Sequence, residues 1–256
     1  MEWAFGMGGE EVSIGQIFDM KTLLTFLLVT AAGSAFAQFN GKLVYQIDQQ
    51  GSRTVMTYVQ NGTNAIVTAY TIKLTNGVTD TTTFHAQDTI IFDFAAATET
   101  HLQYRTMNAY KQKYMGTLMA GAMKNQGAVT AAAAGSASVN GYNCNHYVIT
   151  TKSALGISTK DIYTTGDIGG SPTLWVVGAF TYYTPGYPHF VKLMAAGASG
   201  VVVQASSSNN KQGLLVTMNL VSADTKFVPR ARGYFSVPSR YNLIDETNMT
   251  LPGSGN

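Results

Sequence analysis

The sequence predicts a mainly β (α+β) chain built as a single curved antiparallel sheet, an open half-barrel of about seven to ten strands with one or two short helices packed on it. Three observations lead there. Runs of period-two hydrophobicity recur along the chain, the mark of strands with one buried face. Asn-Gly pairs punctuate those runs, and both residues tolerate the positive φ that two-residue hairpin turns require. Only two stretches carry helical spacing.

Residues 1–19 (MEWAFGMGGEEVSIGQIFD) show no periodicity and stand upstream of a complete signal peptide with its own methionine, so they read as a leader from a start codon placed too early. Residues 20–37 are that signal peptide. Lys21 supplies the basic start, Thr22 to Ala32 an apolar run, and Ala35-Phe36-Ala37 the small residues of a cleavage site before Gln38. The run is shorter than the roughly 20 apolar residues of a spanning helix, so no transmembrane segment is expected in the mature chain. No cysteine follows the cleavage site directly, which speaks against a lipid-anchored lipoprotein. The expected destination is the periplasm or the cell exterior.

Residues 38–245 read as a single β-rich domain, a reasonable length for one fold, and 246–256 as a polar tail. Asn40-Gly41, Asn61-Gly62, Asn76-Gly77 and Asn140-Gly141 are the expected hairpin turns. In Lys42–Asp48, Leu43, Tyr45 and Ile47 share a face. In Ala65–Leu74, Ile66, Tyr70, Ile72 and Leu74 do. In Thr89–Phe94, Ile90, Phe92 and Phe94 do, and in Gly213–Val221, Leu214, Val216, Met218 and Leu220. Pro188–Gly197 predicts a short helix laid on the sheet, with proline suited to its first turn, glycine to its end, and Phe190, Leu193 and Met194 on one stripe. Leu102–Gly127, with Met115, Met119 and Met123 every four residues, is the second candidate helix, although Gly116 and Gly121 each cost about 1 kcal/mol against alanine. The Ala-rich run after it (AVTAAAAGSAS) reads as a low-complexity, mobile connection.

Charge narrows the function classes. Without Lys21, Glu2, Glu10, Glu11 and Asp19 the +2 of the whole chain becomes +5. Lys111/Lys113 and Arg230/Arg232 are the densest basic spots and neither is a run, so nucleic acid is not an expected partner. Cys144 is the one cysteine, so an intramolecular disulfide is impossible.

Three stretches carry a family resemblance. The mature chain opens on Phe39-Asn40-Gly41-Lys42-Leu43-Val44-Tyr45. Its centre reads Gly141-Tyr142-Asn143-Cys144-Asn145-His146-Tyr147, followed by Asp161 to Gly169. Its end reads Phe235-Ser236-Val237-Pro238-Ser239-Arg240-Tyr241, and Gly200-Val201-Val202-Val203 makes a glycine-led strand after the helix. Together these resemble a bacterial family of exported proteins known only as a domain of unknown function, number 4412. That family often has tryptophan where Ile162 or Tyr163 stands here. The resemblance covers nearly all of Gln38 to Asp245 and implies a closing strand at Phe235–Tyr241. More distantly, the layout is similar to the lipoprotein carriers of the envelope, whose curved sheet is closed over by helices around an apolar cavity.

Candidate chemistry is sparse. Cys144 and His146, two apart on an expected strand, share a face as half a metal site or a thiol beside its base. Zinc needs at least three protein ligands, and His85, His101 and His189 lack ligand spacing, so Cys144 reads as a buried structural residue. Gly197-Ala198-Ser199-Gly200 lacks the G-x-S-x-G of a nucleophile elbow, and Gly166–Gly170 lacks the Gly-Lys-Ser/Thr of a phosphate loop. The expectation is a non-enzyme with no cofactor and no metal. The suggestive feature is apolar. Tyr182, Tyr183 and Tyr187 flank Pro185-Gly186, and the methionine stripe fills the other irregular region. A lipid or other apolar ligand between sheet and helix would meet Leu43, Tyr45, Ile90 and Phe92 from the strands and Phe190, Leu193 and Met194 from the helix. The alternative is a structural protein with a fully packed core that binds another envelope protein through its surface.

Overall fold

The computed structural model describes residues 39–75, 78–113, 128–153, 156–169, 192–193, 195–211 and 213–248. The leader and signal peptide (1–37), Asn76-Gly77, the methionine stripe, the Tyr182–Tyr187 segment, Phe190 and Met194 lie outside them.

Among the described residues the chain forms one open sheet of twelve strands, more than the pattern count anticipates. They are β1 Gly41–Gln49, β2 Ser52–Asn61, β3 Asn64–Thr75, β4 Val78–Asp93, β5 Thr98–Gln103, β6 Asn108–Lys113, β7 Ala128–Val139, β8 Tyr142–Ser153, β9 Gly156–Thr165, β10 Val201–Asn209, β11 Gly213–Asp224 and β12 Asn242–Asp245. The spatial order is β12-β6-β5-β4-β3-β2-β1-β11-β10-β9-β8-β7. Two antiparallel meanders, β1–β6 and β7–β11, are therefore stitched along one seam, β1 against β11. β12 adds parallel to β6, the single parallel pair among the described strands.

The turns follow partly from the Asn-Gly pairs. Asn140 and Gly141 form a two-residue loop between Val139 and Tyr142, with φ of 51° and 84°, the double positive φ of a type I′ turn. In the β2–β3 hairpin the paired ends are Asn61 and Asn64, so Gly62-Thr63 makes the turn. Asn40-Gly41 makes no hairpin. It leads into β1, and the Asn40 side chain accepts a hydrogen bond from Gly62 N at 2.6 Å.

Three expectations are corrected. The Ala-rich run is a connection in the sequence reading but is β7, a twelve-residue strand at the sheet's edge. Alanine is a poor strand former alone, yet strand preference is set by neighbours. The Asn140-Gly141 turn sets the register as far as Gly135 against His146, and a shift between Ala133 and Gly135 then brings Ala133 against Tyr147 and Ala131 against Ile149. The described start of the second candidate helix is strand as well, the end of β5 and all of β6. Finally, Phe235–Tyr241 is no closing strand. Tyr241 N donates to Pro238 O at 3.0 Å, and the segment runs as turns until β12 begins at Asn242. Pro238 lacks the N–H a ladder needs.

The sheet buries side chains on both faces. The larger cluster gathers Leu43, Tyr45 and Ile47 of β1 with Met56, Tyr58, Val67, Phe92, Tyr147, Ile149, Ile162, Ala205, Val216, Met218 and Leu220. We call that side the core face. The smaller cluster sits opposite, where Ile91, Leu102 and Ala109 meet Ile66, Phe235, Val237 and Tyr241. Its cover is a strap, residues 225–241. β11 and β12 run in the same direction, so this strap has to cross a face of the sheet to reach β6. Lys42 Nζ sits 5.6 Å from the Phe227 ring near the strap's start, and Asn242 N donates to Met107 O at its end.

Candidate functional site

The site expected from sequence has to be built on the core face, and strand register defines it. One row of cross-strand neighbours runs Ile47, Met218, Ala205, Ile162, Tyr147, all buried, through β1, β11, β10, β9 and β8. The next row runs Val216, Ser207, Lys160, Ile149. On the other meander one row runs Leu43, Tyr58, Val67, Ile90, His101, and another Gln60, Ala65, Phe92, Glu99, Gln112.

Of the seven expected ligand-facing residues, Leu43, Tyr45, Phe92 and Leu193 are buried in the core-face cluster, and the half-buried Ile90 packs against it. Phe190 and Met194 fall outside the described residues. The structure thus brings the strand residues and Leu193 to one cluster, from elements far apart in sequence.

Leu193 sits in a helical turn, of which Lys192, Leu193 and Ala195 are described. The turn ends as a Schellman motif. Ala196 N donates to Lys192 O, Ala198 N donates back to Leu193 O at 3.0 Å, and Gly197 has φ 83°. Leu193 and Ala198, the residues such a motif brings into apolar contact, are both buried. Two ties moor the turn to the second meander. The Tyr147 hydroxyl donates to Gly197 O at 3.1 Å. Beyond it, Gly200 has φ 82° and lies so close to β9 that a Cβ there would fall 2.2 Å from Thr165 O. Only glycine permits that approach.

Polar groups are set into this apolar face. The Tyr45 hydroxyl reaches across β11 to donate to Val202 O at 3.0 Å. Both residues sit at register shifts, Val44/Tyr45 and Val202/Gln204, where a bulge leaves backbone groups without ladder partners. The Tyr58 hydroxyl donates to Gln60 Oε1, and Gln60 Nε2 to Gly62 O. Burial pushes both phenols well above the ordinary tyrosine value, with a smaller push from Tyr142 on Tyr45 and from Tyr45 on Tyr58. Lys160 is 5% exposed, and burial pulls its ammonium down from 10.5 to about 8. Thr164, on the same face of β9, is 0% exposed, and among the described residues its hydroxyl has no hydrogen-bond partner. At the far meander, Glu99 is buried, receives Gln112 Nε2 at 2.7 Å and lies 3.2 Å from His101 Nε2.

Cys144 is buried in the core-face cluster, its thiol 3.7 Å from Tyr142 O. Burial pushes its pKa up. The imidazole of His146 is engaged elsewhere, with Nε2 2.8 Å from Asp161 Oδ1 and the ring stacked on Tyr163 at 4.3 Å. Among the described residues no group of three or more His, Cys, Asp or Glu side chains is placed to hold a metal ion. No helix among them is long and apolar enough to cross a membrane.

Sequence reasoning missed the β8–β10 half of this face. Its signal was present in Ser158 to Thr165, where Lys160 and Thr164 fall in phase with Ile162. A lysine in phase with a buried isoleucine reads as solvent-facing unless both neighbouring strands are known.

The sequence profile of a domain of unknown function, DUF4412, matches residues 39–241. No curated protein sequence matches the chain. Among solved structures it is similar to a chain of the Pseudomonas aeruginosa MucA/MucB complex, at 11% identity and a TM-score of 0.42, covering 83% of this chain and 60% of that one. It is similar also to a DUF1329 family protein from Desulfovibrio piger, at 10% identity and a TM-score of 0.23, covering 82% of this chain and 93% of the other. A putative outer membrane lipoprotein-sorting protein domain from Vibrio parahaemolyticus is matched at 6% identity and a TM-score of 0.22, covering 80% and 94%. The chain therefore spans less than two thirds of the length of the first of these.

Proposed function

The chain belongs to the DUF4412 family, and from that premise we propose that it is an exported, non-enzymatic protein of the cell envelope, in the periplasm or outside the cell, that holds a lipid or another apolar ligand against the core face of its sheet. The observation that carries this reading is the helical turn at Leu193. The turn lies outside the strand ladder. Its named ties are one side-chain hydrogen bond from Tyr147, the burial of Leu193 and Ala198, and just beyond it the close approach of Gly200 to β9. Among the described residues none of these ties is a strand pair. A ligand entering there would meet a preformed apolar wall, the usual character of small-molecule sites.

Native mass spectrometry of protein purified from its own envelope tests this directly. A co-purified lipid mass is the expected result, and a ligand-free protein would sink the reading. Leu193→Trp adds an independent check. Bulk added beside a ligand space should leave stability nearly unchanged and expel the ligand. Bulk forced into a filled core costs about 1–3 kcal/mol.

That second outcome belongs to the rival reading, a structural protein that docks another envelope protein through its surface. The observation in its favour is the complete burial of Leu43, Tyr45, Ile149 and Ile162, which is how side chains sit in a core packed to crystal-like density.

A further inference from the structure

We propose that the ligand is an uncharged apolar molecule with an acceptor oxygen, and that this oxygen takes a hydrogen bond from the Thr164 hydroxyl where the Leu193 turn joins the sheet. This rests on the apolar-ligand reading above and names the ligand's class.

Thr164 and Thr165 are neighbours on β9 and are equally buried, at 0% and 1% exposed. Their hydroxyls fare differently. Thr165 Oγ1 accepts from Asp167 N at 3.2 Å, whereas among the described residues Thr164 Oγ1 has no hydrogen-bond partner. The large majority of buried side-chain polar atoms have one, because an unmet hydroxyl in apolar surroundings is costly. Val202 of β10 is the register partner of Thr164, and Ile162 is in phase with it along β9, both 0% exposed. On the β8 side its register partner is Asn145. None of these neighbours carries a charge, and Lys160, farther along the same face, is engaged in an interaction of its own. A charged head group beside Thr164 would be buried at a cost. A single carbonyl, ester or alcohol oxygen would complete the hydroxyl.

The position of Thr164 ties it to the turn. The chain leaves the turn through Gly197, passes Gly200 where it lies against the Thr165 carbonyl, and enters β10 as Val201 and Val202. Those two are the register partners of Thr165 and Thr164. Tyr147, whose hydroxyl moors the turn, is the register partner of Ile162. The unmet hydroxyl therefore lies at the joint between turn and sheet, where the ligand reading has an apolar molecule enter. Tyr45 reaches the same place from β1, but its hydroxyl donates to Val202 O at 3.0 Å. That leaves Thr164 as the donor for an incoming oxygen.

The test displaces N-phenylnaphthylamine, an uncharged fluorescent probe, from the delipidated full chain with decane, decanol, decanone or decanoate at neutral pH. On wild-type protein, decanol and decanone should displace the probe at lower concentration than decanoate. Valine has the shape of threonine without its hydroxyl, so Thr164→Val should weaken decanol and decanone about tenfold and leave decane unchanged. Thr164→Ser should keep their affinity. The free Thr164→Val protein should also unfold at a higher denaturant concentration than wild type, since an unmet hydroxyl has been removed. A lower midpoint would show that the hydroxyl is satisfied in the native state and would overturn the anchor. So would decanol binding that Thr164→Val leaves intact. Decanoate outcompeting decanol would overturn the uncharged class. Each of these results leaves an apolar ligand site standing, whereas failure of the probe and all four compounds to bind overturns that reading together with the anchor. The wild-type order needs no variant, so a substituted protein that failed to fold would not spare the proposal.

Discussion

At the scale of single residues, Lys160 has a measurable signature apart from any ligand. Its pKa falls from 10.5 to about 8 on folding, so between those values the unfolded chain binds more protons than the native one. Stability therefore rises with pH through that window, and below pH 8 the full cost of burying the charge is present. At 1.36 kcal/mol per unit the cost is of the order of 3 kcal/mol. Tyr45 and Tyr58 act oppositely. Their raised pKa values make stability fall once the unfolded phenols ionise above about pH 10. Denaturant midpoints should climb from pH 8 to about 10 and then drop, and Lys160→Met should flatten the climb while leaving the drop. A wild-type profile flat between pH 8 and 10 would contradict the burial of this side chain. Cys144 gives a second prediction. A buried thiol with a raised pKa stays inert, so a thiol reagent should label it in denaturant and only slowly in the native state. Its burial was legible from the sequence, whereas the engagement of His146 by Asp161 and Tyr163 was not, because both partners come from β9 and no spacing within β8 announces them.

At the scale of elements, two glycines separate turn chemistry from close packing. Gly141 has positive φ with open space around it, while Gly200 has positive φ and a strand carbonyl against it. Gly141→Ala should cost about 1–2 kcal/mol, the penalty of a left-handed alanine. Gly200→Ala should cost distinctly more, since β9 and the segment entering β10 must move apart. Equal midpoints for the two variants in urea would show that the approach at Thr165 is not tight. The same contrast explains what the sequence could reveal. Asn140-Gly141 was readable because turn residues act locally. In β11 the alternation of Val216, Met218 and Leu220 identified the buried face correctly, but Leu214 is 65% exposed, since a register shift between Ser207 and Ser208 ends the phase. In β3 the sequence favoured Ile66, Tyr70 and Ile72, yet the larger core takes Ala65, Val67 and Ala69. Ile66 serves the smaller cluster under the strap. Where both faces of a strand are covered, alternation does not say which is the main core. β7 was missed for the opposite reason, as its small side chains carry almost no hydrophobic signal and its pairing supplies the order.

At the scale of the whole molecule, the strap over the smaller cluster decides whether that face of the sheet is finished. A chain ending at Asp224 loses Phe235, Val237 and Tyr241 from above Ile66, Ile91, Leu102 and Ala109. It also leaves β6 without β12. The shortened chain should bind an apolar reporter dye and unfold at a lower denaturant concentration. Unchanged dye binding would show that the strap is ornamental to stability. Neither the strap's route nor the order of the strands could be read in advance, because the joining of two meanders along β1 and β11 depends on pairing across most of the chain.

That seam has a consequence in time. β1 finds β2 as soon as both have left the ribosome, but its other flank waits for β11, the last long strand to be made. At about 5–20 residues per second, synthesis alone imposes a delay on the order of ten seconds or more. Throughout it, the row of Leu43, Tyr45 and Ile47 stands beside an unpaired backbone. The first meander is born as a half-sheet with an adhesive margin, and the second arrives late to cover it. For a chain of this topology the dangerous interval is the wait before its two ends meet.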